Sequence, residues 1–166
     1  MTESRFSVLF VCMGNICRSP TAHGVFLAKL TQSPWANGVQ VDSAGTHAYH
    51  VGEPPDKRSQ AHAFKRGYDL SRLRARQVSI TDFEHYDLVL YMDDNNAEAL
   101  RAMCPAHMQP KLKLFTSYGQ RFNSPHVPDP YYGGDSGFER VLDLVEDASD
   151  GLLAAIAQQL CHKGTR

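Results

Sequence analysis

FSVLFVCMGNICRSP, residues 6–20, is the stretch on which the fold turns. Its first part, Phe6 to Val11, is a nearly continuous apolar run of strand length, which suits a strand covered on both faces. Its last part opens a helix. Ser19 is a residue type that caps helices, Pro20 is tolerated in a first turn, and Ala22, Val25, Phe26 and Leu30 follow at helical spacing. The turn between them, Cys12-Met13-Gly14-Asn15-Ile16-Cys17-Arg18, joins a buried strand to a helix start and carries two cysteines and an arginine.

Working outward, Val39–Ala44 reads as a second strand and Ser59–Lys65 as a short helix ended near Gly67. Thr81-Asp82-Phe83-Glu84 has capping-box spacing and starts a single turn. Asp87–Met92 is a third buried strand, followed by a helix capped by Asp93 and Asp94 and halted by Pro105. Leu112–Phe115 is a fourth strand, and Asn123–Gly134 a long loop. Ser136 and Glu139 form a capping box for a last helix, whose Phe138, Val141, Leu142, Val145, Leu152, Leu153, Ile156 and Leu160 repeat near a period of 3.6. Short strands alternating with helices predict an α/β fold, a parallel sheet with helices on both faces. Ligands of such sheets bind beyond the C-terminal strand ends, where Cys12 falls.

The 166 residues, 42% of them hydrophobic, suit one domain over 1–166. A formal net charge of -1 argues against a nucleic-acid binder. No stretch is long and apolar enough to span a bilayer and no processing signature is visible, so the chain reads as soluble and unexported. The four cysteines, Cys12, Cys17, Cys104 and Cys161, match no common structural zinc pattern, and a chain of this length needs no disulfide staples. They read as free thiols, with Cys104 and Cys161 inert.

Gly14 permits backbone angles that other residues resist, and Asn15 is one of the few others that tolerates them. Such a turn aims backbone N–H groups inward, and the helix start adds more with partial positive charge, forming an anion cradle. Arg18 closes it with a planar fork suited to two phosphoryl oxygens. A helix start and a nearby cation favour the thiolate of Cys12, a nucleophile for covalent catalysis, with Ser19 as hydrogen-bond donor to it. The loop lacks the glycine–lysine pattern of a Walker loop, and the Cys12–Cys17 spacing is not that of a Cys-x-x-Cys redox motif. It supplies no acid either. Asp129, stiffened between Pro128 and Pro130, is the candidate proton donor, and the carboxylate it becomes can activate water. Tyr131 and Tyr132 on one side and Tyr49 on the other are candidate walls of a slot for an aromatic ring. His47 and His50 beside Tyr49 read as solvated surface histidines.

These residues carry a resemblance. Val11–Pro20, Val41-Asp42-Ser43-Ala44-Gly45-Thr46, Ala75-Arg76-Gln77, Met92-Asp93 and Asp129-Pro130-Tyr131-Tyr132-Gly133 together resemble the low-molecular-weight protein tyrosine phosphatases, in order over essentially the whole chain. The resemblance implies a four-stranded parallel sheet with a phosphate-binding loop after strand 1. It implies hydrolysis of protein phosphotyrosine through a cysteinyl-phosphate: Cys12 as nucleophile, Arg18 as phosphate clamp, Asp129 as general acid then base. The loop Met13, Gly14, Asn15, Ile16, Cys17 and Arg18 would hold the phosphate. Asn15 with Ser43 would hold the loop conformation, Ser19 would bond the nucleophile, and Asp93 would belong to the supporting network. Cys17 would form a reversible disulfide with the nucleophile.

No cofactor or metal is implied, since amides and one guanidinium supply the charge stabilisation. Expected partners are phosphotyrosine-containing proteins, among them a bacterial tyrosine kinase or its substrates, met in the cytoplasm by a monomer or weak dimer. One departure is Leu73, where many relatives place a loop-supporting histidine. Three rival readings stand beside this one. Arsenate reductases of the same fold need further redox cysteines, and Val78–Asp93 contains none. Phosphoarginine phosphatases usually place a smaller residue at Ile16. A phosphate-binding module without catalysis would have no use for Cys12 together with Asp129.

Overall fold

Residues 5–131 and 134–164 are described by the computed structural model. Strand β1 (Phe6–Cys12) is buried along its whole length. It pairs in parallel with β2 (Val39–Gly45) on one side and β3 (Leu88–Tyr91) on the other, and β4 (Leu112–Leu114) adds in parallel to β3. The sheet order β2-β1-β3-β4 is the four-stranded parallel sheet expected.

Alternation along β1 explains the layers, because successive side chains of a strand point to opposite faces. Val8, Phe10 and Cys12 share one core with Val25, Phe26 and Leu30 of α1 (Arg18–Thr31) and with Val141, Leu142, Val145, Leu152 and Ile156 of α5 (Asp135–Gly164). Leu9 and Val11 belong to a second core with Val78, Phe83, Val89 and Leu100, under α3 (Ile80–His85) and α4 (Asp94–Met103). Edge-to-face contacts of the Phe10 ring with Phe26 and Phe115, at 5.8 and 5.0 Å, pin the centre of the first core. Helix α2 (Lys57–Lys65) packs against α5.

Several boundaries differ from the sequence reading, each because a side chain is used elsewhere. Helix α1 starts at Arg18, and the Ser19 hydroxyl turns to Cys12 and Asn15 instead of capping the helix. Helix α2 starts two residues early because Asp56 caps it, accepting from the N–H groups of Arg58 and Ser59. The box at α3 begins at Ser79, not Thr81: the Asp82 carboxylate, itself held in the fork of Arg76, accepts from Ser79 N–H at 2.8 Å. Helix α5 already includes Asp135, so Ser136 lies inside its first turn. Asp93 caps α4 as expected, accepting from Asn96 N–H at 2.8 Å.

Candidate active site

Cys12 ends β1 and Arg18 begins α1, so the turn between them lies at the C-terminal edge of the sheet. Its carbonyls are bonded away from the turn: Cys12 O to Thr46 N–H, Met13 O to His47 N–H, Ile16 O to Asp56 N–H and Cys17 O to Thr21 N–H. Among the described residues, none of the amide N–H groups from Met13 through Arg18 has a protein acceptor. A run of unpaired amides beside a helix N-terminus is an anion nest.

The left-handed angle in this turn falls on Asn15, at φ 59°, and not on Gly14. Gly14 instead makes room for a neighbour: a Cβ there would lie 3.0 Å from the His50 ring, which would have to shift. Gly45, at the end of β2, allows the closest approach. A Cβ there would lie 2.7 Å from Met13 O and 3.2 Å from Asn15 N, so only glycine lets the turn settle onto the strand end.

A chain of hydrogen bonds ends at Cys12. Arg76 N–H donates to Asn15 Oδ1 at 3.1 Å, Asn15 Nδ2 donates to Ser19 Oγ at 2.7 Å, and Ser19 Oγ lies 3.0 Å from Cys12 Sγ. Ser19 N–H also points at the sulfur, at 3.4 Å. The expected pairing of Asn15 with Ser43 is replaced: both side-chain bonds of Asn15 go elsewhere, and the Ser43 hydroxyl meets His23 Nδ1 at 3.1 Å. Leu73 packs on the core, and the imidazole that reaches Ser43 comes from α1. Burial keeps the His23 pKa below the usual histidine value.

Arg18 is buried, and a buried charge must be paired. Its Nη1 lies 2.6 Å from Asp93 Oδ2 and donates to Val127 O at 3.1 Å, while Nη2 lies 3.8 Å from Asp129 Oδ2. Burial works against its charge, but the Cys12 sulfur, Asp93 and Asp129 outweigh that and hold the guanidinium above the ordinary arginine range. Asp93 serves two elements, one oxygen capping α4 and the other holding Arg18. Asp129 Oδ1 accepts from Tyr131 N–H at 3.0 Å. Cys17 is buried, which pushes its thiol up to about 12.

Cys12, Cys17, Arg18 and Asp129 line one cleft of about 230 Å³. Its floor is the turn from Cys12 to Arg18, and its walls are Tyr49, His50, Asp129 and Tyr131. Tyr49 stacks on His47 with ring centroids 5.1 Å apart. His50 remains partly exposed as expected, pairs with Glu53 at 3.2 Å, lies close to Gly14 and forms part of the wall. Tyr132 lies outside the described residues. Cys104 is buried at the end of α4 and Cys161 is exposed on α5. His23 and Val127 had no signal in the sequence, since each acts through a tertiary contact; Gly45 and Arg76 lay in segments that carried the resemblance, but no role was assigned to them. The arrangement can seat a phosphoryl group on amides and a guanidinium with a sulfur beneath it and a carboxyl group above.

The family model for low molecular weight phosphotyrosine protein phosphatase matches residues 7–162. The low molecular weight protein-tyrosine-phosphatase of Streptomyces coelicolor is 43% identical over 158 residues, covering 93% of this chain and 96% of the relative. The human low molecular weight phosphotyrosine protein phosphatase is 41% identical over 141 residues, covering 81% and 85%. Among solved structures, a protein tyrosine phosphatase from Entamoeba histolytica with Hepes in the active site superposes with a TM-score of 0.88 at 37% identity, covering 93% of this chain and 98% of its own.

Proposed function

Because the chain belongs to the low molecular weight phosphotyrosine protein phosphatase family, we propose that it hydrolyses protein phosphotyrosine through a cysteinyl-phosphate formed on Cys12. The observation that carries this is the placement of Cys12 Sγ under a run of unpaired amides, with Arg18 and Asp129 facing the same cleft.

In the first step the phosphoryl oxygens take the amides of Met13–Arg18 and the Arg18 guanidinium. The Cys12 sulfur attacks phosphorus as the ester P–O bond breaks. Asp129, as the acid, gives its proton to the departing phenolic oxygen. In the second step the Asp129 carboxylate takes a proton from water, and that water's oxygen attacks phosphorus. The S–P bond breaks, its electron pair returns to sulfur, and inorganic phosphate leaves. Hydrogen bonds from Ser19 O–H and N–H stabilise the negative charge that returns to sulfur. Tyr49 and Tyr131 line the cleft and on this reading flank the aromatic ring of the substrate, with Ile16 at the floor. The substrates fitting this reading are phosphotyrosine-bearing proteins.

The test is hydrolysis of a phosphotyrosine peptide, with phosphoserine and phosphoarginine alongside, under reducing conditions and after treatment with chelator. Turnover of the tyrosine ester, lowered at least about 10⁴-fold in Cys12→Ser with oxyanion binding retained, is expected. Wild-type-like turnover by that variant would sink the covalent route, and faster turnover of phosphoarginine would move the substrate class.

A further inference from the structure

The general acid assigned above is weakly held inside the cleft. Asp129 is half-exposed, its contact with Arg18 is a long one at 3.8 Å, and its short bond is to the backbone N–H of Tyr131 at 3.0 Å. Whatever sets the Tyr131 backbone therefore sets the acid. We propose that Arg58, on the outer surface of α2, is a positioning residue for Asp129, acting through Tyr131; this rests on the reading of Asp129 as the acid.

Arg58 Nη2 donates to Tyr131 O at 2.9 Å, so one peptide segment is gripped at its carbonyl by Arg58 while its amide grips Asp129. The guanidinium lies over the Tyr131 ring at 5.5 Å and over the Phe138 ring at 4.8 Å. Phe138 is buried on α5 and stacked on His62 at 5.6 Å, so that face of the guanidinium rests on a packed ring. From the other direction Asp56 holds Arg58 in a two-pronged fork, Nε to Oδ1 at 3.2 Å and Nη2 to Oδ2 at 3.1 Å. Asp56 is tied in turn to the phosphate loop, its N–H donating to Ile16 O at 2.8 Å.

Arg58 thus spans the two halves of the machinery. The nucleophile loop is connected through Asp56 and Arg58 to Tyr131, and through Tyr131 to the acid, by contacts that lie outside the cleft. An exposed ion pair of this kind adds little to global stability. Its consequence is geometric, since a carboxyl misplaced by an ångström loses much of its value in proton transfer.

The test separates acid placement from general damage. In Arg58→Ala, kcat/KM for phenyl phosphate, with its poor leaving group, should fall about tenfold, while that for p-nitrophenyl phosphate falls less than about twofold. Arg58→Lys, which keeps the charge but not the planar fork, should fall between Arg58→Ala and wild type on the phenyl ester. In an Asp129→Ala background, Arg58→Ala should change neither ester further, because the positioned group is gone. Equal losses on both esters, or a full additional loss in the Asp129→Ala background, would overturn the proposal. A leaving-group response in Asp129→Ala as flat as in wild type would instead overturn the acid assignment itself.

Discussion

Asn15 Nδ2 donates to Ser19 Oγ at 2.7 Å, and that bond decides where the Ser19 proton goes. The orientation of the Asn15 amide is set by an unambiguous donor, Arg76 N–H, on Oδ1. With one lone pair of Ser19 Oγ occupied, its own proton is left for Cys12 Sγ at 3.0 Å or Ala44 O at 3.4 Å, and the sulfur is nearer. Asn15 therefore has two tasks, a left-handed backbone and an oriented amide.

Those tasks can be separated. Asn15→Gly keeps the backbone angle and loses the amide, so it should turn over about tenfold more slowly and, with Arg76 N–H left without its acceptor, should melt somewhat below wild type. Asn15→Ala loses both and should also be about 1–2 kcal/mol less stable. Thermal melts and steady-state rates on the two variants check this. Equal stability of the pair would remove the backbone task, and unimpaired turnover in Asn15→Gly would remove the amide's.

Gly45→Ala should damage the cleft from behind. The added methyl would press on Met13 O and Asn15 N, which are backbone atoms that cannot rotate away. We expect a stability loss of about 1–3 kcal/mol. The rise in melting temperature produced by inorganic phosphate should shrink as well. A full phosphate response in Gly45→Ala would show that the turn relaxes without cost.

His23 gives stability a pH dependence with a defined sign. Its folded pKa lies below the ordinary value of 6.5 because burial disfavours the imidazolium. The unfolded chain then takes up the proton first. Stability contributed by the neutral ring is present above pH 6.5 and is lost as pH falls through the folded value. Urea unfolding across this window should show a shallower acid slope in His23→Gln than in wild type. An unchanged slope would mean that His23 takes up its proton equally readily in the folded and the unfolded chain.

Cys17 should be the quiet thiol of the cleft. Burial pushes it up to about 12, so at pH 7.5 it is protonated and a poor nucleophile. Brief treatment with iodoacetate, followed by peptide mass spectrometry, should find Cys12 and the exposed Cys161 modified and Cys17 spared. Modification of Cys17 ahead of Cys12 would contradict this order.

The local part of the site was legible from sequence, and the supporting part much less so. The strand at Phe6, the turn from Cys12 to Arg18 and the helix after it lie within one contiguous stretch, where hydrophobic period and residue type report directly on conformation. The same local logic misplaced the caps of α1 and α3. Ser19 is drawn away by Asn15 and Cys12, and Asp82, held by Arg76, caps from Ser79. Nothing near His50 in sequence says that its ring lies close to Gly14. Family likeness supplied Asp93 and Ser43 as supporting residues, but it could not say that Ser43 would pair with His23.

From the chain alone came the α/β class and the turn that joins Cys12 to Arg18 at a strand end, because each depends on neighbours within a few residues. The parallel sheet decided the rest. Strands that all run the same way bring their C-terminal ends to one edge. There Arg18 meets Asp93, 75 residues on, and Val127 O, 109 residues on. Asp129 faces the same guanidinium from the loop that Arg58 grips through Tyr131. Spacing along a sequence carries no distance beyond a turn or two, so only the assembled sheet could bring Asp129 to the cleft that holds Cys12.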